Sequence, residues 1–217
     1  MAALSARRVL LGAVALLLAL VLGILAGRAL PTAPGENSVD VGFSRDMTTH
    51  HSQAVSMAYT AIQNAPTPEV RQLAVDIAST QGNQMGRMQQ LLISWGQPLS
   101  GAGTPVMAWM AGTDLHARHL VEQEQEGRIM PGMATADELA RLNSETGQVF
   151  EVDFLQLVLR HHVGGIEMAQ YGAEHATTSE VRDLASAIAS SQQGESDLLR
   201  DYLAARGAEP LPDEVAP

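Results

Sequence analysis

Two pairs of adjacent histidines, His50-His51 and His161-His162, hold the clearest chemistry in the 217-residue chain. Neutral imidazole is the commonest side-chain ligand for metal ions. Met47 lies three and four residues before the first pair. That is one helical turn, so its sulfur and an imidazole can converge on one ion. Met85 and Met88 can join such a site only if a second helix packs against the first. Met57 lies seven residues after His50, about 10 Å along a helix axis. It and its counterpart Met168 therefore read mainly as core fillers and only secondarily as ligands. Histidine and thioether donors suit copper, and the chain has no Cys to supply a thiolate. Mixed ligation of this kind favours exchange over permanent storage. The competing reading makes the histidines structural, hydrogen-bonded in a core to Gln81 and Gln192, because buried polar groups need partners.

The elements that must position these residues are visible as a repeat. The second histidine pair follows the first by 111 residues, and the same offset relates Phe43 to Phe154, Met57 to Met168 and Ala58 to Ala169. It also relates Glu69-Val70-Arg71 to Glu180-Val181-Arg182, Gln81 to Gln192 and Gly96 to Gly207. An ungapped repeat means one structural unit used twice. At about 100° per residue, Phe43, Met47, His50, Ala54, Met57, Ala58 and Ala61 form one helical stripe, with His51 at its edge. The second copy aligns Phe154, Val158, His161, Gly165, Met168, Ala169 and Gly172, with His162 at the edge. The histidines thus border the buried face. Ala54 and Gly165, one turn beyond, let a neighbouring helix approach or leave room for an ion. The copies differ in sulfur: Met47, Met85 and Met88 stand where the second copy has Val158, Ser196 and Leu199.

Turn chemistry divides the chain. The first helix is expected over residues 40–64, begun at Asp40. The second spans 68–95, with Thr67 as cap, Pro68 at its first position and Gly96 as its stop. Helices over 149–175 and 180–206 repeat this hairpin. The long connection between them contains a loop at 97–105 and a helix over 114–126. His116 and His119, three apart on that helix, are a weaker metal candidate. A Met130-Pro131-Gly132-Met133 turn follows, with one thioether expected to pack beneath it. A short helix over 136–145 opens on a Thr135/Glu138 capping box. The expected fold is all-α: a four-helix bundle built from two tandem helical hairpins, repeats 41–96 and 152–207 of a 39–207 domain. A loose tail, 208–217, ends the chain.

Residues 1–30 carry Arg7 and Arg8 ahead of an uncharged apolar run at 9–26. This reads as a signal peptide or, preferably, a retained transmembrane anchor, with the N-terminus inside and the rest outside the cytoplasmic membrane. A Pro- and Gly-containing linker, 31–38, follows. The net charge is −11, from 24 acidic and 13 basic residues, and no basic patch suggests a nucleic-acid partner. The expected partners are a metal ion and, through the N-terminal helix, the membrane. A ferritin-like di-iron oxidase needs Glu three residues before a ligating His; Met47, Val158 and Gly172 stand there for His50, His161 and His175. No Ser/His/Asp array, phosphate-cradling loop or HExxH helix argues for hydrolysis.

The pattern Phe43-x6-His50-His51-x5-Met57-Ala58, the Met130-Pro131-Gly132-Met133 turn, and Phe154 to Ala169 with His161-His162-x-Gly164 together resemble the family called domain of unknown function 305. The likeness spans nearly all of residues 39–207. It implies a ferritin-like four-helix bundle exported in bacteria, with copper bound in some members through His and Met. On this resemblance His50, His51, His161 and His162 are the matching histidines, and Met47, Met57, Met85, Met88 and Met168 the candidate thioethers. Val158 stands where Met is common in the family, which argues against a second equivalent site. The 114–126 helix with its own histidines is longer than the family pattern. The expected function is a membrane-tethered, extracytoplasmic copper-binding protein. The alternative is a helical envelope interaction module without metal.

Overall fold

The computed structural model describes residues 11–22, 33–101 and 103–211. The chain forms two units, Met1–Ala33 and Pro34–Pro217. In the first, residues 11–22 are helical and exposed. The rest of the expected signal or anchor segment lies outside the described residues. Among the described residues no helix is long and apolar enough to cross a membrane, so the transmembrane expectation gains no support from the fold.

The second unit is all-helical among its described residues. Four long helices dominate: α1 (Val39–Asn64), α2 (Pro68–Ser94), α5 (Gly147–His175) and α6 (Ser179–Ala205). The connection carries a 3-10 turn (Ala108–Met110), α3 (Asp114–Glu126) and α4 (Ala136–Ser144). α1 packs along α2 and α5 along α6, each pair turned by a short connection, while α1 also packs directly on α5. α2 and α6 barely touch. The histidine-bearing helices are therefore the inner pair.

Each hairpin is latched to the other by a carboxylate. Ser38, rather than the expected Asp40, caps α1, its hydroxyl accepting from the Val41 amide. Asp40 is buried and instead receives the amides and hydroxyls of Thr177 and Thr178, at 2.6–2.9 Å, in the turn before α6. Its repeat partner Glu151 receives the amide and hydroxyl of Thr67 in the turn before α2, plus the Arg206 guanidinium. Thr67 is thus not the side-chain cap the spacing suggested. Burial alone would raise the Asp40 pKa, but the four donors hold it below the usual carboxylate range. Arg71 and Arg182 repeat the same symmetry, each donating to two carbonyls of the turn that precedes its own helix. Removing the Asp40 carboxylate leaves two amides and two hydroxyls without their shared acceptor. Asp40→Ala is expected to destabilise the chain by about 3 kcal/mol, read as a shift of the denaturant midpoint, with Asp40→Asn recovering part of the loss.

The core has two apolar clusters. One gathers Met57, Val70, Leu73, Ile77, Phe150, Phe154, Val158 and Leu199. The other gathers Phe43, Trp109 and seven methionines: Met47, Met88, Met107, Met110, Met130, Met133 and Met168. Both methionines of the Met130–Met133 turn are buried, not one. Trp109 lies on Gly42, where a Cβ would collide with its side chain, and its indole N–H donates to Asp46 at 2.8 Å. Along α1 and α5 the histidines fall where one cluster gives way to the other.

Candidate metal centre

His50 and His51 sit midway along α1, His161 and His162 midway along α5, and all four are 0 % exposed. Close approach of the inner helices brings the His50 and His161 rings to 3.8 Å between centroids, tilted by 36°. His51 and His162 flank this central pair, 6.4 and 6.3 Å from their neighbours. Gly165 is part of the fit: a Cβ there would stand 2.5 Å from the Gln192 oxygen and 3.1 Å from His50 Cε1.

Every one of the four imidazoles is held through Nε2. His50 donates to the Pro131 carbonyl (3.0 Å) and His161 to the His50 carbonyl (2.9 Å). His51 donates to Gln84 Oε1 (2.8 Å) and His162 to the Glu195 carboxylate (2.6 Å). Carbonyl and carboxylate oxygens only accept, so Nε2 carries the hydrogen, and in a neutral ring the Nδ1 lone pair is left bare. All four Nδ1 atoms are buried with no hydrogen-bond partner. Burial keeps His50, His51 and His161 neutral: it is the largest cause lowering His50 to about 4 and His51 to about 3, and it drives His161 well below the ordinary value. Neighbouring imidazoles push the same way.

The Met130–Met133 turn closes one side of the histidine layer. Pro131 supplies the carbonyl that orients His50, and Gln53 grips Ala134 through both its amide and its carbonyl. Arg160 makes a two-pronged ion pair with Glu138, which also completes the expected capping box of α4. The turn lies directly on α5: a Cβ on Gly164 would collide with Pro131 backbone, and one on Gly132 with the Arg160 carbonyl. Gly164→Ala is therefore expected to destabilise by about 3 kcal/mol, since only backbone could give way. Gly194→Ala, in open space on α6, should instead stabilise by about 0.5–1 kcal/mol. Thermal melts of both variants check this pair.

Met47 and Met88 are buried together in the methionine-rich cluster, as a shared site with the first histidine pair requires. Met85 is half-exposed on α2, which separates it from that cluster. Met57 belongs to the other, nearly sulfur-free cluster and Met168 to the methionine-rich one. His116 and His119 have rings 6.4 Å apart on α3; His119 is buried, and both Nδ1 atoms lack a partner. The structural reading with Gln81 and Gln192 as partners is corrected: both carboxamides are buried and unpartnered. The real partners are Gln84 and Glu195, one turn later and again 111 residues apart. Among the described residues no three His, Asp or Glu side chains form a ready-made metal cage. An ion held here must draw on imidazoles with thioethers, or on rotation of the rings. The donor set fits such an ion, because a ligating imidazole characteristically donates its other N–H to a carbonyl or carboxylate.

The family model described as Domain of unknown function (DUF305) matches residues 40–203. The chain belongs to the DUF305 family. A DUF305 protein from Streptomyces coelicolor, described as a candidate secreted protein, is 40% identical; the match covers 82% of this chain and 99% of that one, with a TM-score of 0.71. A DUF305 fragment from Deinococcus radiodurans is 30% identical over 81% of this chain and 99% of its own, TM-score 0.63. CopM in its Cu(II)-bound form shares the fold at 23% identity and TM-score 0.59, covering 77% of this chain and 97% of its own. None of the curated proteins matches the chain.

Proposed function

We propose that this DUF305 chain binds copper outside the cytoplasm and passes it on, using the buried histidine layer and its neighbouring thioethers. The observation that carries the reading is the set of four buried Nδ1 lone pairs, each presented by a ring whose other nitrogen is already engaged. His50, His51, His161 and His162 are the proposed nitrogen donors, and Met47 with Met88 the proposed sulfur donors. Met57, Met85 and Met168 are secondary. When bound, the ion satisfies lone pairs that otherwise leave hydrogen-bonding capacity unused in a buried layer. CopM, of the same fold, has been seen with Cu(I), Cu(II) and silver, which supports the choice of metal. The basic and apolar N-terminal segment supports export or tethering, with domain 39–207 folded as a ferritin-like four-helix bundle outside.

A purely structural role is favoured by one observation, the hydrogen bond at every Nε2. It leaves four Nδ1 atoms and both carboxamides of Gln81 and Gln192 unsatisfied, at roughly 1–3 kcal/mol each, which is why copper is preferred. The deciding experiment is a competition titration of the full chain with copper. A tight, stoichiometric site is expected. Binding no tighter than that of exposed histidine peptides would return the histidines to a structural role.

A further inference from the structure

The repeat is symmetric in backbone and asymmetric in chemistry around the histidines. The second histidine of each pair is anchored from the neighbouring helix by equivalent positions, but His51 meets the neutral amide of Gln84 and His162 the carboxylate of Glu195. The layers beside them differ too. Met47 and Met88 lie in the methionine-rich cluster, whereas their repeat partners Val158 and Leu199 lie in the aliphatic and aromatic one. Gln84 is buried, while the Glu195 side chain is 19% exposed.

We infer that the two histidine pairs discriminate between oxidation states of copper, with Glu195 as the positioning residue that makes the His161–His162 half favour Cu(II), and Gln84 with Met47 and Met88 making the His50–His51 half favour Cu(I). This rests on the copper reading above. A carboxylate accepting the Nε2 hydrogen pushes electron density into the ring, so the opposite nitrogen becomes a stronger and harder donor. Its negative charge, at the partly exposed edge of the histidine layer, favours a dication over a monocation. A carboxamide supplies neither effect. Thioethers on the other side are soft ligands and select the monovalent ion. Glu195 need not touch the metal; it acts through His162.

Two isosteric exchanges test this in the full chain. Glu195→Gln makes the second half resemble the first, and Gln84→Glu does the reverse. Glu195→Gln is expected to weaken Cu(II) binding about 10- to 100-fold, the usual effect of losing a ligand's outer partner, while Cu(I) affinity, measured anaerobically by competition, moves less than about threefold on the same basis. Gln84→Glu should shift the balance towards Cu(II). The metal-free chain offers an independent reading. The 15N resonance of His162 Nδ1 should move in Glu195→Gln while those of His50 and His161 stay, and circular dichroism should be unchanged. Equal loss for both oxidation states, or an unmoved ratio in both variants, would overturn the inference and leave the copper site standing. An unmoved His162 resonance would overturn it as well. A wild-type chain that binds neither ion would overturn both.

Discussion

Lowering the pH from 7 to 5 is expected to destabilise the metal-free chain by about 2 kcal/mol for each of His50 and His51, from about 1.36 kcal/mol per pH unit below the unfolded pKa, with His161 adding in the same direction. In the unfolded chain these histidines protonate near 6.5. In the folded chain burial lowers His50 to about 4, His51 to about 3 and His161 well below 6.5. Between those values the unfolded state binds protons that the folded state refuses, so stability falls as pH falls. The carboxylates whose pKa is lowered, Asp40, Glu138 and Glu151, act in a different window. Their contribution is present above the usual carboxylate range and is lost only below it. Asp46, raised by burial, slightly opposes the trend because acid relieves it. Urea unfolding at pH 7, 6 and 5 with metal removed should show a steady loss, flattened in His50→Gln/His161→Gln. A stability constant from pH 7 to 5 would mean that the rings are hydrated or already charged.

The second large effect concerns copper itself. Replacing both central rings, His50→Ala with His161→Ala, removes the two imidazoles whose centroids lie 3.8 Å apart and unlatches the Pro131 turn. Copper affinity is expected to drop at least 100-fold, or about 2.7 kcal/mol. Met47→Leu should weaken Cu(I) about tenfold and leave Cu(II) nearly unchanged, because a thioether selects the softer ion. Met57→Leu, in the cluster remote from Met47, should be close to silent. Competition titrations in both oxidation states read all three. Equal affinities for wild type and the double histidine variant would place copper elsewhere, with His116 and His119 as the next candidates.

Much of this arrangement could be read from residue order alone. The 111-residue offset identified the two hairpins, and the Thr135–Glu138 capping box followed from local turn chemistry. Histidine burial followed from the helical stripe. The partners were harder to see. Identity between copies pointed to Gln81 and Gln192, whereas the anchoring positions, Gln84 and Glu195, differ in residue type and so carried no repeat signal. Their signal was spacing: each lies 33 residues after the histidine it holds. The Pro131 carbonyl had no side-chain signature, because backbone does that work. Gly164 was a trace of it, since the bare Cα admits the turn. Asp40 looked like a local cap because its long-range partners, Thr177 and Thr178, lie 137 and 138 residues away.

The most direct test is a 15N correlation spectrum of the histidine side chains during titration with Cu(I), which is diamagnetic. Nδ1 resonances in the buried histidine layer, those of His50 and His51 foremost, should shift in step with the bound ion, while the Nε2 atoms keep the hydrogens donated to Pro131, Gln84, the His50 carbonyl and Glu195. Unmoved Nδ1 resonances at all four, with the response confined to His116, His119 or His175, would contradict a metal centre in the histidine layer.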